Sequence, residues 1–281
     1  MKEFRDKVAV ITGAADGIGK ALALRAGAEG MKLVLADVDG AKLAATLDEL
    51  AASGVEAVGR TMDVSQQEEI EALAFLAFGL FGNVHLLVNN AGVAVLAPVW
   101  EVSQADWDWI MGVNLYGVTH ALRAFLPRML ANGEEGHIVN TASVAGLLTQ
   151  PGAATYNATK HAVVAVSEGL HQDLELRQAR IKVSVLCPAW VRTRIAEGDR
   201  YREAGRPQGR VSCDPILRKI GMAVASAVEK GLPPERVAAD VFAAIMAERF
   251  YILTHPEIKP QIQERMEGIL NDRNPTPSRV I

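Results

Sequence analysis

Tyr156 and Lys160 stand four residues apart in the stretch YNATK, with only small or polar residues between them. On a helix that spacing puts both side chains on one face, about one turn apart. A free tyrosine, with a pKa of about 10, is a poor proton acceptor at neutral pH. An ammonium beside the phenol favours the phenolate and lowers that pKa. A phenol tuned in this way could take a proton from an alcohol or return it. The same spacing also describes an anchored core aromatic followed by a solvated lysine. Ser143 alone reads as a turn residue at a strand end, and Asn114 alone as a polar helix residue bonded to backbone. The elements that would have to position these groups decide between the readings.

Those elements alternate. KVAVIT (7–12), KLVLAD (32–37), HLLVNN (85–90), HIVNTA (137–142) and KVSVLC (182–187) are short runs rich in Val, Ile and Leu, and EAVGRT (56–61) is a weaker one. They lack polar residues on alternate positions, as parallel strands covered on both faces should. Helical patterns fill 17–30, 40–53, 66–82, 104–131 and 155–178. Strand–helix alternation predicts an α/β fold with a doubly wound parallel sheet and helices on both faces. Neither a Pro/Ser-rich linker nor a repeat divides the chain, so residues 1–281 read as one domain. Segment 190–232 departs from the alternation, polar and Gly-rich first, then apolar and small at IGMAVASAV. It reads as an excursion with helical pieces, suited to a substrate lid. Its apolar stretch points to a hydrophobic or aromatic substrate.

The first strand runs directly into TGAADGIG, residues 12–19. A strand, a glycine-rich turn and a helix N-terminus together form an anion site, because backbone N–H groups and the helix dipole face the same point. Gly13 permits the tight turn, Gly17 lets the backbone approach a pyrophosphate, and Gly19 lets helix and strand pack closely. The spacing is GxxxGxG rather than GxGxxG. Asp37 ends the second strand, where a carboxylate can accept hydrogen bonds from an adenosine ribose; alone it could equally be a helix cap. A carboxylate there repels a ribose phosphate, Val38 supplies no positive charge, and Asp16 in the loop is also acidic. NAD is therefore expected over NADP. Asp63 and Val64 follow the next strand, where the aspartate could meet the adenine amino group.

With these residues in view, the chain resembles the short-chain dehydrogenases/reductases in their common single-domain form. The resemblance covers nearly everything up to about residue 254. TGAADGIG, with Ile18, matches the TGxxxGIG turn. NNAG at 89–92, with Asn90, Ala91 and Gly92, matches the motif after the fourth strand. Asn114 in NLYG, Ser143 in TASVAG, and Tyr156 with Lys160 match the catalytic positions. CPAW at 187–190 departs from the family's usual Pro-Gly by placing alanine for glycine. Residues 251–281 form a less general extension, which resembles a branch including dehydrogenases of aromatic or lignin-derived alcohols.

The resemblance implies a Rossmann-type sheet of about seven strands. It implies Tyr156 as general acid/base and Ser143 as hydrogen-bond donor to the substrate oxygen. Lys160 would also hold the nicotinamide ribose, and Asn114 a water near Lys160. Val191 and Thr193 would contact the carboxamide, and Trp190 would wall the substrate pocket. It further implies a homodimer or homotetramer built through the Tyr156 helix and the helix before it. Ala162, Ala165 and Gly169 offer a small-residue face for that, or equally for packing on the sheet.

Composition narrows the alternatives. Twenty-nine basic and 33 acidic residues give a net charge of −4 without a basic cluster, which argues against nucleic acid or an anionic membrane as partner. Cys187 and Cys213 have no metal-ligand spacing and read as buried free thiols in a reducing cytoplasm. The N-terminus is too short in its apolar run for a signal peptide, and no transmembrane helix is expected. A hydrolase or metalloenzyme would call for a GxSxG elbow or HExxH, neither of which occurs, and the six histidines are scattered. A non-catalytic nucleotide-sensing protein on the same fold would ordinarily lack the tyrosine or the lysine, and this chain keeps both. The expectation is an NAD-dependent oxidoreductase acting on a small alcohol or carbonyl compound, without a metal.

Overall fold

A computed structural model of the protein describes residues 1–197 and 215–276. Seven parallel strands form one sheet: β1 (Val8–Thr12), β2 (Lys32–Asp37), β3 (Ala57–Thr61), β4 (Leu86–Asn89), β5 (Gly136–Thr141), β6 (Ile181–Leu186) and β7 (Tyr251–Ile252). Their order across the sheet is β3-β2-β1-β4-β5-β6-β7. The direction of strand order reverses between β1 and β4, so a crevice opens there beyond the strands' C-terminal ends. β1, β4 and β5 are buried along their whole length, which explains their apolar runs: helices cover both faces.

One face carries α1 (Gly17–Ala28) and α2 (Gly40–Ala52), joined by α8 (Pro234–Met246). The opposite face carries α3 (Gln67–Phe81), α4 (Gln104–Met111), α5 (Gly117–Asn132) and α6 (Ala154–Leu176). α7 (Pro215–Glu229) and α9 (Lys259–Leu270) complete the described helices. α8 follows no strong sequence signal in the expectations above. It forms because Val237, Val241, Phe242 and Ile245 supply a buried stripe, with Phe242 meeting Phe4 at 5.0 Å between ring centres. α9 buries none of its residues.

The pattern over 104–131 predicts one continuous helix, and here the structure differs. α4 and α5 are separated by a π turn, Gly112–Tyr116. Two glycines let the turn pack against the loop after β3. A β-carbon at Gly112 would lie 3.1 Å from Ser65 Cβ, and one at Gly117 would lie 2.9 Å from Val64 Cγ2. Single π turns concentrate at functional positions, and this one carries Asn114. Of the excursion at 190–232, residues 215–229 are helical as expected, while 198–214 lie outside the described residues, as do Cys213 and the final residues 277–281. No helix among the described residues is long and apolar enough to cross a membrane.

Candidate active site

The crevice is lined from β1, β2, β4 and β5 and from the loops that follow them. Its floor is the glycine turn. Gly13 and Gly17 have φ of +66° and +52°, values that L side chains rarely adopt. A β-carbon at Gly19 would fall 1.8 Å from the carbonyl oxygen of Gly13, so this position tolerates no side chain. Asn90 stitches the turn to β4: its Nδ2 donates to the carbonyls of Thr12 and Gly13 at 3.1 and 3.2 Å. Thr12 Oγ1 accepts in return from the N–H groups of Asn90 and Ala91. Asp16 caps α1 by accepting from Gly17 N at 2.8 Å and pairs with Lys42 of α2. Burial pushes the Asp16 carboxyl up, but Lys42 and the Gly17 N–H outweigh it and hold it below its ordinary value.

Asp37 sits at the lip of β2. Its two oxygens accept from the N–H groups of Ala15 and Asp39, both at 2.9 Å. Burial raises its pKa despite these bonds. Asp63 and Val64 line the same wall, and Asp63 Oδ1 accepts from Ser65 N. The cradle therefore fits a dinucleotide: glycines whose absent β-carbons leave the turn open, a helix N-terminus, and a carboxylate in the same lining.

The catalytic candidates meet at the other end of the crevice. Ser143 follows β5, Tyr156 and Lys160 share the first turns of α6, and Asn114 arrives on the π turn. Ser143 Oγ accepts from Ala145 N at 3.1 Å and donates to the Pro188 carbonyl at 3.3 Å. Tyr156 is hydrogen-bonded to Ser143. That bond lowers the phenol pKa, so it favours the phenolate. Lys160 Nζ donates to the Thr141 carbonyl at 2.9 Å and lies 5.6 Å from the centre of the Tyr156 ring. Asn114 Oδ1 accepts from Val93 N at 2.8 Å, and its Nδ2 donates to Val93 O at 2.9 Å and Thr159 Oγ1 at 3.1 Å. A β-carbon on Gly92 would be 3.5 Å from both Asn114 Oδ1 and Lys160 Nζ, so the glycine leaves a gap between the two.

One expectation is reversed by this geometry. The lysine was expected to lower the tyrosine pKa. With the protein's own groups alone, burial raises it, and the Ser143 hydrogen bond offsets only part of the rise. The reason lies in Lys160 itself. It is buried, its pKa is pushed down to about 8, and its nearest partner is a carbonyl rather than the phenol oxygen. Neighbouring Cys187 is a buried thiol pushed up to about 12, so it is no nucleophile.

Trp190, Val191 and Thr193 line the crevice after β6. Val191 is fixed by a parallel bridge to Leu232, and Thr193 Cγ2 approaches the position above Gly17. Val224 and Val228 of α7 complete the apolar wall. Two groups escaped the sequence reading. Lys42 carried no signal because its partner Asp16 lies on another element. Gln150 lines the crevice from a loop without a motif. On the small-residue face of α6, Ala165 and Gly169 are exposed and Ala162 is half-buried.

A sequence model of the short chain dehydrogenase family matches residues 7–204. The CLA biosynthesis dehydrogenase/reductase of Lactiplantibacillus plantarum is 36% identical over 280 residues, covering 98% of this chain and 97% of that protein. A short-chain dehydrogenase/reductase from Burkholderia phymatum, solved in complex with NAD, superposes with a TM-score of 0.94 at 48% identity over 99% of both chains. A metagenomic short-chain oxidoreductase solved with NADP gives a TM-score of 0.69 at 30% identity, over 89% of this chain and 97% of its own. The chain belongs to the short-chain dehydrogenase/reductase family and is an oxidoreductase of that family.

Proposed function

We propose that the protein is an NAD-dependent dehydrogenase or reductase that interconverts a secondary alcohol and its carbonyl compound, with Tyr156 as general acid/base. The observation that carries this reading is the meeting of Ser143, Tyr156 and Lys160 in one crevice with the glycine cradle and Asp37. The nicotinamide cofactor, when bound, accepts or supplies the hydride and brings a positive ring near the phenol. Gly13, Gly17 and Gly19 would hold its pyrophosphate side, Asp37 its adenosine ribose, and Val191 and Thr193 its carboxamide.

The proton steps belong to the chain. Ser143 orients the carbinol oxygen, and Tyr156 takes its proton as the hydride departs. Burial has raised the phenol pKa, so Tyr156 starts protonated and must first release its proton. Lys160, at about 8, is poised to exchange a proton near neutral pH. A water beside Gly92, between Asn114 and Lys160, would carry it onward. Because Asn114 directs its side chain to Val93 and Thr159, it shapes this gap rather than donating into it.

NAD use is supported by Asp37, by the acidic Asp16 and by the NAD complex of the Burkholderia phymatum relative. A related structure with NADP marks this preference as the point to test first. The apolar walls of Trp190, Val224 and Val228 favour a hydrophobic or aromatic substrate. The exposed small-residue face of α6 supports a homodimer or homotetramer, and the residue composition supports a cytoplasmic setting.

Fluorescence titration with NADH and with NADPH, followed by Tyr156→Phe, tests the reading. NADH should bind more tightly. The variant should keep NADH binding and lose turnover by roughly 10²–10⁴-fold. Near-normal turnover in the variant would remove Tyr156 from the mechanism. NADH binding without turnover of any alcohol or ketone would instead favour a nucleotide-sensing role.

A further inference from the structure

The crevice divides by charge. Its charged lining residues are Asp16, Asp37, Asp63, Lys160 and Arg194 among those described. The first three belong to the cradle wall, and Lys160 is buried under the catalytic corner. Arg194 is engaged by Glu197 through Nε at 2.8 Å and a terminal nitrogen at 2.6 Å, and its charge acts on Asp16. The substrate end, between Trp109, Trp190, Val224 and Leu96, holds no charged side chain among the described residues. Among the described residues, two side-chain amides line the crevice: Asn90, whose Nδ2 is spent on the carbonyls of Thr12 and Gly13, and Gln150.

The backbone of Gln150 is tied down while its carboxamide is not. Its carbonyl accepts from Asn157 Nδ2 at 3.2 Å and from Ala153 N at 3.4 Å. Asn157 N in turn donates to Ala153 O at 2.8 Å, in the turn of α6 that carries Tyr156. The loop is thus pinned to the helix bearing the acid/base. Its half-buried carboxamide has no hydrogen-bond partner among the described residues. A carboxamide can both donate and accept, and a ligand that leaves it unpaired when covering it forfeits binding.

We propose that Gln150 forms a polar subsite of the substrate pocket, which takes a neutral oxygen substituent of an otherwise apolar substrate. The substituent is a hydroxyl, ether or carbonyl oxygen remote from the reacting carbinol. A carboxylate or phosphate would find no unengaged cation at this end among the described residues. The inference rests on the alcohol/carbonyl reading of the site, and it makes Gln150 a determinant of which alcohol is used.

The test compares 1-phenylethanol with its ring-hydroxylated ortho, meta and para analogues, using NAD⁺ and the full chain. For at least one analogue, kcat/KM should exceed that of the parent. Gln150→Leu should cut that advantage, read as the ratio of kcat/KM for the analogue to that for the parent, by about tenfold. Gln150→Met, closer in length, should behave alike and guards against a loop that has merely collapsed. An advantage that survives both substitutions, or no analogue exceeding the parent, overturns the subsite alone. Turnover of no alcohol by unsubstituted protein that binds NADH overturns the proposed function and the subsite with it.

Discussion

At the residue scale, Asp37 is the sharpest case. Its carboxylate does two jobs that a single substitution separates. It anchors the backbone of Ala15 and Asp39, and in the proposed reading it would repel a ribose phosphate. Asp37→Ala removes the like-charge repulsion and should shift the ratio of NADPH to NADH affinity toward NADPH by about tenfold or more. Titration of the two nucleotides reads this directly. An unchanged ratio would transfer the discrimination to Asp16, whose pairing with Lys42 also governs the charge at this wall. Tyr156 teaches a related lesson. A neighbouring lysine in the sequence does not by itself make an acidic phenol, because desolvation acts on both groups and here dominates each.

At the scale of elements, the π turn is what places Asn114. A regular helix through 112–116 would rotate the side chains that follow it by the angle of one extra residue. The widened turn instead lets Asn114 clamp both the N–H and the carbonyl of Val93, which lies in the loop after β4. Asn114→Ala would leave two buried backbone groups of Val93 unpaired. We expect a loss of about 2 kcal/mol or more in the stability measured by urea unfolding. Turnover should fall along with it, because the same loop walls the gap beside Gly92 and Lys160. A variant as stable as the parent would mean that water replaces the clamp.

At the scale of the molecule, the sheet contains a buried imidazole that makes folding sensitive to acid. His137 in β5 is fully buried. Its Nε2 meets Ser184 Oγ at 2.8 Å, and that hydroxyl donates to the Arg249 carbonyl at 2.7 Å. Nε2 is therefore the protonated nitrogen, and Nδ1 is left buried without a partner. Burial pushes the His137 pKa down to about 3, with the positive N-terminus and Lys182 adding to the fall. The unfolded chain holds a proton below about pH 6.5 that the folded chain refuses. The stability that His137 permits is thus complete above that pH and is lost progressively as pH falls toward 3. At pH 5 the cost is about 2 kcal/mol. Thermal melts of the parent and His137→Gln between pH 7 and 5 should show the parent's Tm falling more steeply. Parallel slopes would mean that the imidazole remains neutral in both states or charges in both.

The chain's local patterns determined a good deal. Apolar, β-branched runs of strand length mark a sheet covered on both faces, since such runs cannot be left in water. Gly13, Gly17 and Gly19 mark the dinucleotide turn, because the backbone shape and close packing required there exclude other residues. Ser143, Tyr156 and Lys160 were legible by spacing along one strand end and one helix. Tertiary structure decided whatever depended on two remote segments meeting. The π turn exists because Val64 and Ser65 press against glycines some 50 residues away. Lys42 becomes part of the cradle only when α2 packs beside α1. The direction of the Tyr156 pKa shift follows from burial, a sum over every neighbour that no local motif encodes. Gln150 lines the crevice from a loop that Asn157 and Ala153 hold to α6, and nothing in its own neighbourhood of sequence announces that place.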